Sequence, residues 1–266
     1  MTKQDVRKCQ IKQLEALKFI DQICRENGLT YFVHTGTLLG AVRHHGYIPW
    51  DMDTDILMPM VHARIFVEKV EKKKDHRFSV QYEEDGVGCH RLLLRTGKMY
   101  RGYEKEDNRF IHIDIYSFAN AKTYRKIKGI YLEFKHKVLH RLMDYRLGRL
   151  KFKNVFLYIF MKCVAFLYRG KSNREILDKL KKDIITNRKT GYVSVYNSYY
   201  GKIKETYPVD YFKDNDYIRF EDMEVPIPCG YIKILENLYG DWKVLPPKEE
   251  RWPVDLKDIH YEEIII

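Results

Sequence analysis

Three aspartates fall at every second position of GTLLGAVRHHGYIPWDMDTDILM, residues 36–58: Asp51, Asp53 and Asp55. On an extended chain alternate side chains point the same way, so three carboxylates crowd one face and repel if left unpaired. A hard divalent cation resolves that repulsion, because Mg²⁺ takes one or two carboxylates together with substrate phosphate oxygens. Asp114 in FIHIDIYSF offers a fourth carboxylate, flanked by Ile113 and Ile115, on what alternation predicts is a neighbouring strand. Two carboxylate-bearing strands are the least that a two-metal phosphoryl-transfer site requires.

Ahead of the acids, Gly36 and Thr37 open an apolar helical run. A glycine at a strand-to-helix turn lets backbone N–H groups approach a phosphate, the helix N-terminus favours negative charge, and the Thr37 hydroxyl adds a donor. Arg43 leaves the same helix near its end, where a guanidinium can clamp a phosphate with two bonds. No one of these residues is specific; their spacing is the signal.

The elements that position them follow from periodicity. Val6, Ile11, Leu14, Leu17, Ile20, Ile23 and Cys24 predict an amphipathic helix over 5–26, stopped by Gly28. TYFVH (30–34) reads as a buried strand, with a short helix then running through Val42. DTDILM (53–58) alternates like a strand, a helix covers 61–73, and strands follow at 78–82, 90–95 and 110–118. Long basic and apolar helices reach about 188, then come a strand-like YVSVYNS and a C-terminal stretch containing a helix and LYGDWKVLPPKEERWP. The fold class is α+β, with residues 1–120 as a mixed-sheet core, 121–190 as a helical segment and 191–266 packing back on the core.

Composition supports a globular chain: 266 residues, 45% hydrophobic and 32% charged. Five scattered cysteines without a CxxC pair argue against a disulfide framework or a cysteine-rich zinc site. The N-terminus carries charges where a secretory signal needs an apolar stretch, so a cytoplasmic location is expected. Net charge is +11, and from Lys122 to Lys153 eleven basic residues face only Glu133 and Asp144, a local net of +9. VFLYIFMKCVAFLY (155–168) follows, too short to span a bilayer. Two readings fit: a buried core helix beside a solvated basic helix, or a segment of 122–168 lying peripherally on an anionic membrane at the inner face of the cell. Without an RNA- or DNA-reading motif, the basic patch gives no ground for nucleic acid.

GTLLGAVRHHGYIPWDMDTDI resembles the signature of the LicD family of phosphotransferases, to which the vertebrate fukutin-related proteins are also similar. IDIYSF resembles the family's second acidic strand, and LYGDWKVLPP its C-terminal YGD-aromatic element, so the likeness runs from about residue 28 to about 252. Met52 stands where the family often has another acid, and Trp242 where it usually has Tyr. The resemblance implies a nucleotidyltransferase-like mixed sheet and transfer of a phospho-alcohol, most often phosphocholine from CDP-choline, to a sugar hydroxyl of a surface glycan or its lipid-linked precursor. It implies Asp53 and Asp55 as the pair holding Mg²⁺ (or Mn²⁺), with Asp51 beside them and Asp114 as the third carboxylate. Trp50, Asp241 and Trp242 are the candidates for the substrate pocket, since a quaternary ammonium favours aromatic faces. Three alternatives remain: a nucleotidyltransferase that leaves NMP on its acceptor, a glycosyltransferase using DMD or DTD as its DxD motif, and a non-catalytic glycan-binding protein.

Overall fold

The computed structural model describes residues 1–82, 89–101, 110–122, 126–146, 148, 150, 154–195, 205–252 and 256–264. The chain divides into two compact units, one of residues 1–81, 90–116 and 210–266, the other of residues 82–89 and 117–209. The sequence reading places its limits at 120 and 190; residues 191–209 thus fall in the helical unit, and 210–266 in the unit that holds the acids.

In the first unit, α1 (Lys3–Asn27) opens with a capping box in which Thr2 and Asp5 bond each other's backbone, and it ends at Gly28, whose φ of 61° is the left-handed conformation glycine allows. Its apolar face lies on β4 (His90–Arg101) and α3 (Met60–Lys73), with Phe19 stacked on Phe78 at 4.0 Å between ring centroids. β1 (Phe32–Val33) is shorter than expected and pairs antiparallel with β2 (Asp55–Pro59). The strand order is β1-β2-β5-β4-β10, with β5 at Phe110–Asn120 and β10 at Ile259–Glu263, and β3 (Phe78–Tyr82) also pairs with β4. A hairpin of β8 (Asn215–Phe220) and β9 (Met223–Pro228) precedes α7 (Tyr231–Tyr239).

β2 begins at Asp55, two residues later than alternation predicts, so Asp51 and Asp53 lie on an irregular lead-in rather than on the strand. The cause is local. The Gln10 amide of α1 donates to the Ile48 and Asp51 carbonyls (3.0 and 2.8 Å), and the Gln13 amide donates to the Met52 carbonyl (2.8 Å). Side chains thus satisfy backbone groups that a strand ladder would have taken.

The second unit holds α4 (Lys126–Arg146), α5 (Val155–Leu167) and α6 (Asn173–Ile184), packed around Leu139, Leu142, Met143, Met161, Val164, Ile176, Leu177 and Leu180. Beside them the end of β5 pairs with β6 (Tyr192–Val195), which pairs with β7 (Thr206–Pro208). Residues 196–198 of the strand-like YVSVYNS, and Arg125, Arg149, Lys151 and Lys153 of the basic run, lie outside the described residues. The core-helix reading of 155–168 is corrected: within α5 only Met161 and Val164 are buried. Among the described residues no helix is long and apolar enough to cross a membrane. Cys9, Cys24, Cys163 and Cys229 are free thiols.

Candidate functional site

The acids are gathered where α2 (Thr35–His44) meets β2 and β5. Backbone bonds fix the junction: His34 N–H donates to the Asp55 carbonyl (3.0 Å), and Asp114 N–H to the Thr54 carbonyl (2.9 Å). Thr37, buried in the first turn of α2, accepts from Asp55 N–H at 2.9 Å, so its hydroxyl ties the helix to the acidic strand. Thr35 donates its hydroxyl to the Asp55 carboxylate and holds a φ of 43°, a conformation that costs a β-branched residue about 1–3 kcal/mol. His34 provides no side-chain cap, which leaves the first N–H groups of α2 for another acceptor.

Gly36 makes room for an acid. A Cβ there would stand 2.5 Å from Asp51 Oδ2, so the missing side chain is the space into which the Asp51 carboxylate fits. Asp51 Oδ1 accepts from Asp53 N–H (3.3 Å). On β5, Asp114 is held by the Arg91 Nε–H at 2.7 Å, and His112 Nε2 lies 3.8 Å from the same oxygen.

The electrostatics follow from this crowding. Burial raises the Asp51 carboxyl above its usual range, and backbone donors at Met52 and Asp53 partly offset it. Asp53 is exposed as a residue, yet protein atoms crowd its carboxyl; that burial, with the charges of Asp51 and Asp114, pushes it up to about 6 against the pull of His112 and Arg91. Burial, then Asp114 and Asp53, raises Asp55 well above the normal value. His112 is pushed down, first by burial and then by Arg91.

Hard carboxylate oxygens that destabilise each other's charge are the donor chemistry a divalent cation satisfies. Among the described residues, however, no three His, Cys, Asp or Glu side chains already stand in ion-holding geometry. Asp55 is bonded by Thr35 and Asp114 by Arg91, so ligation would exchange internal partners for the ion.

Arg43, about 10 Å along α2 from Gly36 at 1.5 Å per residue, meets Trp242 near the helix's other end, where Trp50, the residue before Asp51, packs on His44. Arg43 Nη1 donates to the Trp242 and Val244 carbonyls (2.8 and 3.4 Å), fastening the C-terminal element to the helix. Asp241 is exposed there, and Lys243 lies over the Trp242 ring. Trp50 meets His44 edge-on, with Arg251 over its ring at 5.5 Å.

Sequence reasoning passes over Thr35, Arg91, His112, Gln10, Gln13 and Glu221. Gln10 and Gln13 carried a signal: they continue the buried register of Val6, Leu17 and Ile20, so two amides sit on an apolar face. Glu221 left none. From the β8–β9 turn, at φ 56°, it grips Arg7 with two bonds (2.9 and 2.7 Å) and accepts from Tyr47 N–H (3.1 Å), steadying the loop before the acids.

Clustered carboxylates on adjacent segments, facing an uncapped helix N-terminus, are the parts from which phosphoryl- and nucleotidyl-transfer sites are built. Residues 28–158 match the family described as LicD/FKTN/FKRP, nucleotidyltransferase domain. Across 98% of its length the chain is 26% identical to the lipopolysaccharide cholinephosphotransferase LicD of Haemophilus influenzae, covering 99% of that protein. Over 38% of the chain it is 31% identical to the uncharacterized protein RP689 of Rickettsia prowazekii, spanning 36% of that protein.

Proposed function

We propose that this chain transfers a phospho-alcohol, phosphocholine in the first instance, from a CDP-activated donor to a sugar hydroxyl of a cell-surface glycan or its lipid-linked precursor. The observation that carries the reading is that Asp51, Asp53, Asp55 and Asp114 crowd one another's charge, with Asp51 against Gly36, inside the matched domain of a chain alike end to end to a cholinephosphotransferase. Asp51, Asp53, Asp55 and Asp114 are the residues to hold Mg²⁺ or Mn²⁺, and the bound ion supplies neutralisation of charge on the donor diphosphate. The N–H groups at Gly36 and Thr37 bind phosphate oxygens at the head of α2. Asp114, oriented by Arg91, accepts the acceptor hydroxyl's proton as that oxygen bonds to the phosphorus bearing the alcohol; the phosphorus–oxygen bond to CMP breaks, and CMP leaves with the electron pair. Arg43 positions Trp242, beside Asp241, and a quaternary ammonium would take the place of Arg251 on the Trp50 ring or of Lys243 on the Trp242 ring.

Purified protein with CDP-choline, Mg²⁺ and a lipopolysaccharide-type acceptor should yield a product heavier by one phosphocholine and release CMP. A product heavier by one CMP would establish the nucleotidyltransferase alternative, and one gaining a hexose from a UDP-sugar the glycosyltransferase. A cognate donor at 100 times its dissociation constant stabilises the fold by about 2.7 kcal/mol, so melting with CDP-choline and Mg²⁺ reads binding directly. EDTA should erase most of that shift.

A further inference from the structure

α5 inverts the usual pattern of a surface helix. Its ends are well made: Asn154 accepts from the N–H groups of Phe156 and Leu157 (2.8 and 3.2 Å), and Arg146 Nη2 donates to the Tyr168 carbonyl (2.7 Å) just beyond the last turn. One stripe holds it to its unit, Met161 and Val164 with Ala165 and Tyr168 half-buried beside them. The rest of its apolar surface faces outward: Phe156 is 79% exposed, Leu167 76%, Phe166 64% and Val155 60%. α4 contributes Ile130, Tyr131 and Phe134, also exposed. A helix apolar on nearly every side is stable when something covers it, and contiguous exposed apolar surface marks an interaction site.

We propose that this face docks on an anionic phospholipid bilayer, with α5 lying in the plane of the interface. Charge selects the occupant. Among the described residues of 129–171 the exposed charges are Lys137, Arg141, Lys162, Arg169 and Lys171, whereas the acids of that stretch, Glu133 and Asp144, are not exposed and Glu133 is paired with Lys137; the exposed acids Glu175 and Asp178 belong to α6. Lys162 Nζ lies over the Tyr158 ring (4.7 Å) and the Arg169 guanidinium over Phe166 (4.6 Å), so cations and exposed rings share one surface, the mixture a headgroup boundary suits. A two-fold pairing of copies would bring this cationic rim against itself, which like-charge repulsion opposes; an anionic bilayer complements it. Thirteen residues span about 20 Å against roughly 30 Å of hydrocarbon, so the helix lies on the membrane and does not cross it.

The test is flotation of the full chain with vesicles, which needs neither donor nor acceptor and so fails or succeeds independently of the proposed reaction. Phosphatidylglycerol-containing vesicles at low salt should carry the protein upward, with affinity at least about tenfold above that for pure phosphatidylcholine, and 0.5 M NaCl should remove most of that difference. The triple variant Phe156→Ser, Phe166→Ser, Leu167→Ser should bind at least about tenfold more weakly, since three large apolar side chains no longer enter the interface. Circular dichroism melting verifies that the variant is folded, and Lys162→Glu with Arg169→Glu supplies a second variant that leaves the apolar face intact and should lose the anionic preference. Absence of vesicle binding overturns the proposal, as does equal affinity for both lipids. A concentration-dependent dimer in sedimentation, abolished by the triple variant without any lipid binding, assigns the face to a second copy instead.

Discussion

The two compact units break the polar-outside, apolar-inside rule in opposite directions. In the unit that holds the acids, polar groups are inside: Gln10, Gln13, Thr35 and Thr37 are buried, each spending hydrogen bonds on the loop or strand that carries a carboxylate. In the helical unit the exception is apolar and faces outward, on α5. Burying amides and charged carboxylates is costly unless each finds a partner, and exposing phenylalanine is costly unless something covers it. A chain keeps such costs where they serve a purpose. The first deviation fixes atoms for chemistry; the second offers surface to another phase.

The comparison is tested most severely at the acids. Asp53→Asn or Asp55→Asn should lower transfer about a thousandfold, the scale of losing a dedicated electrostatic group at a reacting phosphate. The metal-free fold should not weaken with it. Because the Asp53 carboxyl is raised to about 6 in the folded chain, from 3.8, the native state retains a proton between those pH values that the unfolded chain has released. Its contribution to stability therefore falls as pH climbs through that window, and above about pH 6 the wild type bears the full penalty. Melting in EDTA should show Asp53→Asn gaining on wild type above pH 6 and drawing level below 3.8. An asparagine variant with near-normal turnover at saturating Mg²⁺ would remove the acids from the mechanism.

Next in size are the buried amides. Gln10→Ala strands the Asp51 carbonyl, while that of Ile48 keeps the Asp51 N–H, and an unsatisfied buried acceptor costs about 1–3 kcal/mol. It also frees the lead-in on which Asp51 and Asp53 sit, so turnover should fall by about tenfold or more even at temperatures where the variant is fully folded, because small misplacements of reacting groups are expensive. Loss of stability with unchanged turnover would show that the amides serve the fold alone.

These residues also mark where the sequence was legible. α1 and its stop at Gly28 follow from spacing and one glycine, and the meeting of Gly36 with Asp51 and of Thr37 with Asp55 follows from their order along the chain. What periodicity misplaced was the start of β2, since alternation describes side-chain direction but not which donors capture the backbone, and those came from a helix some forty residues away. β10 was invisible for a similar reason: IHYEE becomes a strand by pairing with residues 97–101, a partner no local pattern names. For α5 composition identified an apolar helix yet could not say which way it faced, because burial depends on how much of the surrounding chain reaches it, and only one stripe is reached.

The smallest effect expected is the most discriminating for the second unit. Phe156→Ser and Phe166→Ser remove two large aromatic side chains, and in an ordinary core such truncations cost about 3–5 kcal/mol. Here they should change the free energy of unfolding by no more than about 0.5 kcal/mol in lipid-free buffer, the range of surface substitutions, because both rings already meet water. Leu142→Ala, at a fully buried position of the same unit, supplies the contrast and should cost about 2–5 kcal/mol. Urea melts of the three variants at matched concentration give both numbers. If the serine variants fell as far as Leu142→Ala, the outward face of α5 would be packed against protein in solution, and the opposition between the two units would be lost. Unchanged stability, by contrast, means that the apolar character of that face contributes nothing to the folded state alone, which leaves contact outside the fold as its use.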